Sequence, residues 1–144
     1  QDTTGNTDGM DILLCVLEPA QGFQTKLTFA GAKGHLYFGQ KGKLHELRGT
    51  NKAIGGFQKN KLKIFENKEV LLNAGDTIYL TTDGLVDQHS PEGRKFGTNR
   101  FKELLQDCLS LDLDAQQAIL LKALQGHQKL QEQRDDITVI GVRV

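Results

Sequence analysis

The spacing of apolar residues changes once along this 144-residue chain, and that change limits the folds open to it. Residues 11–81 contain short apolar runs of strand length, separated by turns rich in glycine and charge. From Phe96 onwards apolar residues recur at helical spacing, and the chain closes on the strand-like run "ITVIGVRV". The short connections favour antiparallel pairing over parallel βαβ units. We therefore predict an α+β domain, an antiparallel β-sandwich flanked by helices on an outer face.

Individual runs predict particular strands. The continuous run "DILLCVL", residues 11–17, is typical of a strand covered on both faces. In "TKLTFAGA", alternation places Leu27 and Phe29 on one face. "HLYFGQKGKLHELR" predicts a hairpin that turns at Lys41 and Gly42, "LKIFENKEVLL" predicts two short strands around a charged turn, and "TIYLTT" predicts another strand.

Two helices are predicted between about residues 98 and 126. Thr98 or Asn99 is the expected N-cap of the first, and Asp112 or Asp114 that of the second, which Gly126 is expected to end. The residues expected to pack against a sheet are Phe101, Leu104, Leu105, Ile119 and Leu120 or Leu121.

Composition excludes several classes of function. The formal net charge is zero, so no basic excess indicates binding to nucleic acid or to an anionic membrane. No apolar run approaches the ~20 residues that span a bilayer. Cys15 and Cys108 lie in apolar patterns and are expected to be buried thiols, which suits a reducing cytosol. The histidines lack metal-ligand spacing; they are His35, His45, His89 and His127.

Acidic residues stand at the ends of two predicted strands. Asp83 follows "TIYLTT" in a turn that Gly84 allows to be sharp, and the pair Asp135–Asp136 precedes the last strand. If these strands are antiparallel neighbours, the carboxylates meet at one sheet edge and repel by about 4 kcal/mol per close pair. A divalent cation such as Mg²⁺ or Mn²⁺ relieves that repulsion. Either motif alone is more typical of a solvated turn, so the prediction depends on their conjunction.

The same segments carry a family resemblance. "GDTIYLTTDGLVDQ", "FGTNRFKELL" and "QRDDITVIGVRV" resemble the metal-dependent protein phosphatase (PPM) family, in its SpoIIE/RsbU-like branch. "DGMDILLCVLEP", "LTFAGAKGHLYF" and "IGG" fit that branch in the same order, so the resemblance covers essentially the whole chain. It implies a PPM-type fold and a site that holds two Mn²⁺ or Mg²⁺ ions in the complete domain.

The resemblance also implies roles for particular residues. Asp83 of the "TDG" motif and Asp135 of the "DD" motif correspond to metal ligands. Asp136 and Asp87 correspond to nearby positions that support the ligands, although loop capping is an equal alternative for Asp87. Gly84 is a backbone requirement and not a ligand.

Two further acids belong to the candidate site. The resemblance places Asp8 and Asp11 where either residue approaches an additional, weakly bound metal, and the alternative is that they only form and cap a turn.

One motif of the family is missing. The "D-x-x-G-H-G" motif, whose aspartate bridges the two metals, does not occur here, and the only acids before Asp11 are Asp2 and Asp8. We therefore expect residues 1–144 to form a single, truncated phosphatase domain whose first strands and helices precede residue 1. This chain alone is expected to be inactive. It is also expected to expose apolar surface that favours a homodimer.

The function implied by the resemblance is hydrolysis of phosphoserine or phosphothreonine on a protein by a water bound to two metal ions. In this branch the usual substrates are phosphorylated anti-anti-sigma (STAS) domains, and a sensor domain usually lies N-terminal to the phosphatase. The location implied is cytoplasmic, with tethering to a membrane through upstream domains as a variant. The alternatives are a non-catalytic pseudo-phosphatase or interaction module, and a carboxylate-rich β-sandwich that binds a structural metal ion.

Overall fold

The fold combines nine strands with three helices in the part of the chain that the structure covers. The structure is a computed structural model, and it describes residues 9–55 and 64–144. The strands are β1 (Gly9–Met10), β2 (Ile12–Pro19), β3 (Thr25–Ala32), β4 (His35–Gln40), β5 (Lys43–Arg48), β6 (Ile54–Gly55), β7 (Lys68–Leu72), β8 (Thr77–Thr81) and β9 (Val139–Arg143). The helices are α1 (Gly84–Asp87), α2 (Thr98–Cys108) and α3 (Leu113–Gln128).

Two sheets form a sandwich. One has the strand order β2-β3-β7 and the other β5-β4-β8-β9, while β1 and β6 form a separate two-stranded pair. Every pair of neighbouring strands is antiparallel. A core contributed by both sheets lies between them; its buried residues are Leu27, Phe29, Leu36, Phe38, Leu72 and Ile78. The predicted fold class is therefore confirmed.

The four-stranded sheet serves two cores because successive side chains of a strand point to opposite faces. Leu36 and Phe38 enter the sandwich, whereas Tyr37 between them faces the helices and contacts Phe101 edge to face at 5.7 Å. The helical side has its own core, which consists of Tyr37, Tyr79, Leu85, Phe96, Phe101, Leu105 and Leu120. The four-stranded sheet is thus packed on both faces, by the three-stranded sheet on one side and by the helices on the other.

The helix predictions are confirmed in their packing and partly wrong in their boundaries. Phe101, Leu105 and Leu120 are buried against the sheet, whereas Leu121 is 50% exposed. Leu104 packs on the same core as a partly buried residue, and Ile119 is half-buried. Among the described residues no helix is long and apolar enough to cross a membrane.

The caps follow local chemistry. Gly97, and not Thr98 or Asn99, is the N-cap of α2, and it makes no side-chain capping bond. Asp112 caps α3, because its Oδ1 accepts a hydrogen bond from the Ala115 N–H at 2.7 Å. The predicted end at Gly126 is wrong: α3 continues to Gln128, and the chain reverses at Lys129, whose φ is 51°.

The strand predictions had three outcomes. The β4–β5 hairpin is confirmed, with φ of 52° at Lys41 and 73° at Gly42, and Leu27 and Phe29 share the core face. The expected coverage of "DILLCVL" on both faces is wrong, because β2 is an edge strand on which Leu14 is 59% exposed. "LKIFENKEVLL" yields only β7; residues 64–67 are not a strand, and the start of the first expected strand lies outside the described residues.

Candidate metal centre

The "TTDG" turn places an acidic side chain at the end of β8. The chain leaves β8 at Thr81, and Asp83 is the N-cap of α1, a single helical turn that stands where an acidic loop was predicted. Asp83 is exposed, and its carboxylate makes no capping hydrogen bond. Because the Asp83 carboxylate makes no capping hydrogen bond to its own helix, it is available to bind a cation.

The turn before β9 is held against the turn after β8. The Thr82 hydroxyl donates to the Asp136 carbonyl at 3.0 Å, and the Thr82 N–H donates to the Thr138 carbonyl at 3.0 Å. The Thr138 N–H in turn donates to the Thr82 hydroxyl oxygen at 3.0 Å. Below these contacts β8 and β9 pair in register, with Thr81 opposite Val139. The predicted antiparallel neighbours are therefore real, and the two acidic turns lie side by side.

Gly84 is required by this close approach. A Cβ at position 84 would lie 2.3 Å from the Asp136 carbonyl oxygen and 2.9 Å from its carbonyl carbon. Atoms this close clash, so any side chain at this position would push the two turns apart. A backbone requirement at Gly84 was predicted, but its cause in the structure is contact between the turns instead of sharp bending.

The remaining acids differ in what they contact. The Asp135 carboxylate accepts a hydrogen bond from the Asp136 N–H at 2.7 Å and is otherwise exposed. Asp136 is also exposed, and it contributes its carbonyl to the Thr82 contact. Asp87 forms an ion pair with Lys95 at 2.7 Å, so its carboxylate already has a cationic partner.

Asp11 lies on the same cavity as Asp83. This cavity has a volume of about 340 Å³ and lies between the start of β2, the end of β8 and the start of β9. Its apolar wall includes Leu13 and Leu80, and its polar rim includes Asp11 and Asp83. Asp8, the other acid predicted near an additional metal, lies outside the described residues.

The donors fit a hard divalent cation in type but supply only part of a ligand set. Exposed carboxylates on adjacent turns are the oxygen ligands that Mg²⁺ and Mn²⁺ prefer. Within residues 9–55 and 64–144, however, no three His, Cys, Asp or Glu side chains are grouped as a metal site would require. The described residues alone therefore do not complete a two-ion centre.

Comparison with known proteins decides the family. The family model described as Stage II sporulation protein E (SpoIIE) matches residues 1–144. The chain belongs to the SpoIIE family. No curated protein matches the chain significantly.

Solved structures of related phosphatase domains agree with this SpoIIE-family assignment. The SiaA-PP2C domain of Pseudomonas aeruginosa is 38% identical, with a TM-score of 0.72 over 83% of this chain and 46% of that chain. The phosphatase domain of SpoIIE from Bacillus subtilis is 15% identical, with a TM-score of 0.62 over 100% of this chain and 60% of that one. PppA from Pseudomonas aeruginosa is 20% identical, with a TM-score of 0.53 over 91% and 56%.

These relatives are longer than the chain. The chain spans about half the length of the solved domains that it matches. At 15–20% identity the likeness to SpoIIE and PppA shows the fold, and the fold is the PPM phosphatase type.

Sequence reasoning about this SpoIIE-family site missed residues whose importance depends on tertiary contacts. Thr82 joins the two acidic turns through three hydrogen bonds, yet a threonine after a strand gives no signal of its own. Lys33 lines the cavity that contains Asp11 and Asp83, although it is distant from both motifs in sequence. The available signal is its neighbour Gly34 in "GAKGH", between the two apolar runs that form β3 and β4.

Proposed function

We propose that this chain is part of a metal-dependent phosphatase that hydrolyses phosphoserine or phosphothreonine on a protein. The observation that carries the proposal is the set of hydrogen bonds from Thr82 to Asp136 and Thr138. These bonds hold the "TDG" turn and the "DD" turn together, and the adjoining turns carry Asp83 and Asp135. Membership of the SpoIIE family supports the same activity.

In this proposal Asp83 and Asp135 are ligands of Mn²⁺ or Mg²⁺. The bound ions supply an acidified water and neutralise charge on the phosphoryl oxygens. The carboxylates hold the ions and do not attack phosphorus, so no phosphorylated enzyme is expected. Asp136 supports the site through its backbone, and Asp87 through its ion pair with Lys95. Asp11 is the described acid best placed to approach an additional ion, because it lines the cavity next to Asp83.

The proposed substrate is a phosphorylated signalling protein, such as a STAS domain, under the control of an N-terminal sensor. The names of the relatives support a regulatory role in bacteria. The Bacillus subtilis SpoIIE is described as a cell fate determinant, and its phosphatase domain was presoaked with Mn. PppA is described as a key regulatory component of the type VI secretion system (T6SS). A cytoplasmic location, with tethering to a membrane through upstream domains, fits a protein of this kind.

The test is hydrolysis of a phosphoserine protein by the full natural protein, with and without Mn²⁺. Turnover is expected only with the metal, and Asp83→Asn and Asp135→Asn are each expected to reduce it by about a hundredfold or more. Asp114→Asn is the matched control, because Asp114 is an exposed acid on α3. Turnover that is independent of metal, or an Asp83→Asn variant as active as the wild type, would exclude the proposed site.

A non-catalytic interaction module is the second candidate. It is favoured by the incomplete ligand set among the described residues and by the exposed apolar face of β2. This reading predicts that the full natural protein binds a partner but shows no metal-dependent turnover. A sandwich with a purely structural ion predicts instead that Mn²⁺ raises thermal stability without any hydrolysis.

A further inference from the structure

Lys33 occupies a backbone conformation that lysine seldom adopts. Its φ is 61°, in the left-handed region that glycine favours, and Gly34 follows it in the turn between β3 and β4. A side chain in this region raises the energy of the folded chain relative to glycine. A lysine in such a position is a reason to ask what its side chain does.

The turn that contains Lys33 is held firmly. The Lys33 N–H donates to the Thr50 carbonyl at 2.8 Å, and the Gly49 N–H donates to the Gly34 carbonyl at 3.0 Å. A Cβ at Gly49 would lie 2.5 Å from the Gly34 oxygen, so only glycine permits the two segments to approach this closely. Lys33 therefore extends from a backbone with little freedom to move.

Lys33 lies on the wall of the cavity next to the candidate metal ligand Asp83. Lys33, Asp11 and Asp83 line the same space of about 340 Å³, and among the described residues that line it Lys33 is the one cation. Lys33 has no ion-pair partner among the residues that the structure describes. The other walls include the half-buried Leu13 and Leu80, while Lys33, Asp11 and Asp83 are exposed.

We propose that the Lys33 ammonium binds the phosphoryl group of the substrate and, after hydrolysis, the phosphate product. This inference rests on the proposed function, in which Asp83 and Asp135 would hold the metal ions that bind the phosphoryl group at this edge. Without those ions, the carboxylates of Asp11 and Asp83, which line the cavity, repel a phosphate. A cation held there would offset their charge and let the Lys33 ammonium, which extends from a constrained backbone, donate hydrogen bonds to the non-bridging phosphoryl oxygens.

The structure offers a matched control. Lys41 is also a lysine with positive φ, 52°, and it is exposed in the β4–β5 hairpin. It lies at the other end of β4, a six-residue strand, and therefore roughly 20 Å from Lys33. Replacing either lysine with glycine removes the side chain and relieves the same type of strain, so neither variant is expected to have a lower Tm than the wild type.

The experiment measures binding of inorganic phosphate to the full natural protein loaded with Mg²⁺, by calorimetry, together with Mg²⁺ affinity. Lys33→Gly and Lys33→Gln are expected to weaken phosphate binding by about tenfold and to leave Mg²⁺ affinity unchanged. Lys33→Arg is expected to retain most of the wild-type phosphate affinity, because its guanidinium keeps the positive charge. Lys41→Gly is expected to bind phosphate like the wild type. Equal phosphate affinity in Lys33→Gln and wild type, equal weakening in Lys41→Gly, or no phosphate binding by the wild type would overturn the proposal.

Hydrolysis separates this proposal from the proposed function. If the wild type hydrolyses phosphoserine with Mn²⁺ but its phosphate affinity does not depend on Lys33, the role of Lys33 fails and the phosphatase stands. If phosphate binding depends on Lys33 but no condition gives hydrolysis, the phosphatase fails and Lys33 remains an anion-binding residue. In an active enzyme, the product-inhibition constant of phosphate is expected to rise in Lys33→Gln by the same factor as its binding constant.

Discussion

Gly84 lies where the two acidic turns pack against each other. Its neighbour Thr82 makes hydrogen bonds across to the turn before β9, and the space that a side chain at position 84 would need is filled by the Asp136 carbonyl. The positions of Asp83 and Asp135 therefore depend on glycine at position 84, because a residue with a Cβ would separate the two turns.

Gly84→Ala is expected to lower the free energy of unfolding by about 2–3 kcal/mol, because a methyl group 2.3 Å from a backbone oxygen forces the turns apart. It is also expected to weaken Mn²⁺ binding. The control is Gly126→Ala within α3, where a Cβ would meet no atom within 4 Å and is expected to stabilise the helix by about 0.5–1 kcal/mol. Urea denaturation measures the free energy of unfolding of both variants. Equal changes in the two variants would contradict the close contact between Gly84 and the Asp136 carbonyl.

The sequence predicts the residues of the candidate site better than it predicts their surroundings. Asp83 and Asp135 could be selected because each stands at a strand end, a feature that depends on local sequence. The contact of Gly84 with Asp136 and the proximity of Lys33 to Asp83 join segments that are about 50 residues apart. No local pattern carries such information, because the first contact arises only when β8 pairs with β9 and the second only when the two sheets pack.

At the scale of elements, an ion pair connects α2 to the edge of the four-stranded sheet. Lys102 on α2 donates to Glu46 Oε2 on β5 at 2.8 Å, and Arg48 lies 3.6 Å from the same oxygen. Burial raises the pKa of Glu46, but the hydrogen bond and charge of Lys102 and the charge of Arg48 outweigh it, so the pKa lies below its ordinary value of 4.5. The pair thus stabilises the ionised carboxylate in the folded protein.

This shift predicts a pH-dependent contribution to stability. A carboxyl whose pKa is lower in the folded state stabilises the fold above its unfolded pKa, and that stabilisation is lost as the pH falls through the folded pKa. Glu46→Gln is therefore expected to lower the free energy of unfolding by about 1 kcal/mol at pH 7 and to have little effect well below pH 4.5. Glu103→Gln, at an exposed position of α2, is the control. Urea titrations at both pH values measure the difference, and a Glu46 effect that is the same at low pH would exclude the mechanism.

Elements were predictable where a local signal determines them. The β4–β5 turn is specified by Lys41–Gly42, and the start of α3 by the Asp112 side chain. The end of α3 was predicted wrongly because Gly126 permits a helix to stop without requiring it, and the backbone bonds continue to Gln128. The single turn of α1 follows a "DG" pair that is equally typical of a loop, and its packing into the helical core is a tertiary effect.

At the scale of the whole molecule, the outer face of the three-stranded sheet is partly apolar and uncovered. Three exposed apolar residues lie on that face: Leu14 and Val16 on β2, and Leu71 on β7. They lie on the same face because their partners on β3 alternate with the buried residues of that strand. β2 is also an edge strand with unpaired backbone groups. Exposed apolar edges favour association.

The chain is therefore expected to self-associate through β2. Leu14→Lys is expected to shift the chain towards the monomer, because a charge on that face opposes both strand pairing and apolar contact. Leu121→Lys is the control, since Leu121 is 50% exposed on α3, on the other side of the four-stranded sheet. Sedimentation velocity over a range of concentrations tests the prediction, and a wild type that remains monomeric throughout would disprove it.

The number of metal ligands in the molecule determines whether metal binding leads to turnover. Asp83 and Asp135 stand on adjoining turns, but the sequence contains no "D-x-x-G-H-G" motif whose aspartate would bridge two ions, and the described acids include no group of three. A water that contacts one cation keeps a higher pKa than a water shared by two, so the attacking hydroxide is scarcer at neutral pH.

For the 144-residue chain we therefore expect weak binding of Mn²⁺ with little or no hydrolysis, while a full protein that also supplies a bridging aspartate is expected to show strong binding and hydrolysis. Calorimetry with Mn²⁺ measures the first property, and phosphate release from a phosphoserine protein measures the second. Asp83→Asn is expected to reduce Mn²⁺ binding in both proteins, which links the weak site of the chain to the catalytic site of the full protein. Robust turnover by the 144-residue chain would show that its own residues complete the centre, and Mn²⁺ binding unaffected by Asp83→Asn would place the metal elsewhere.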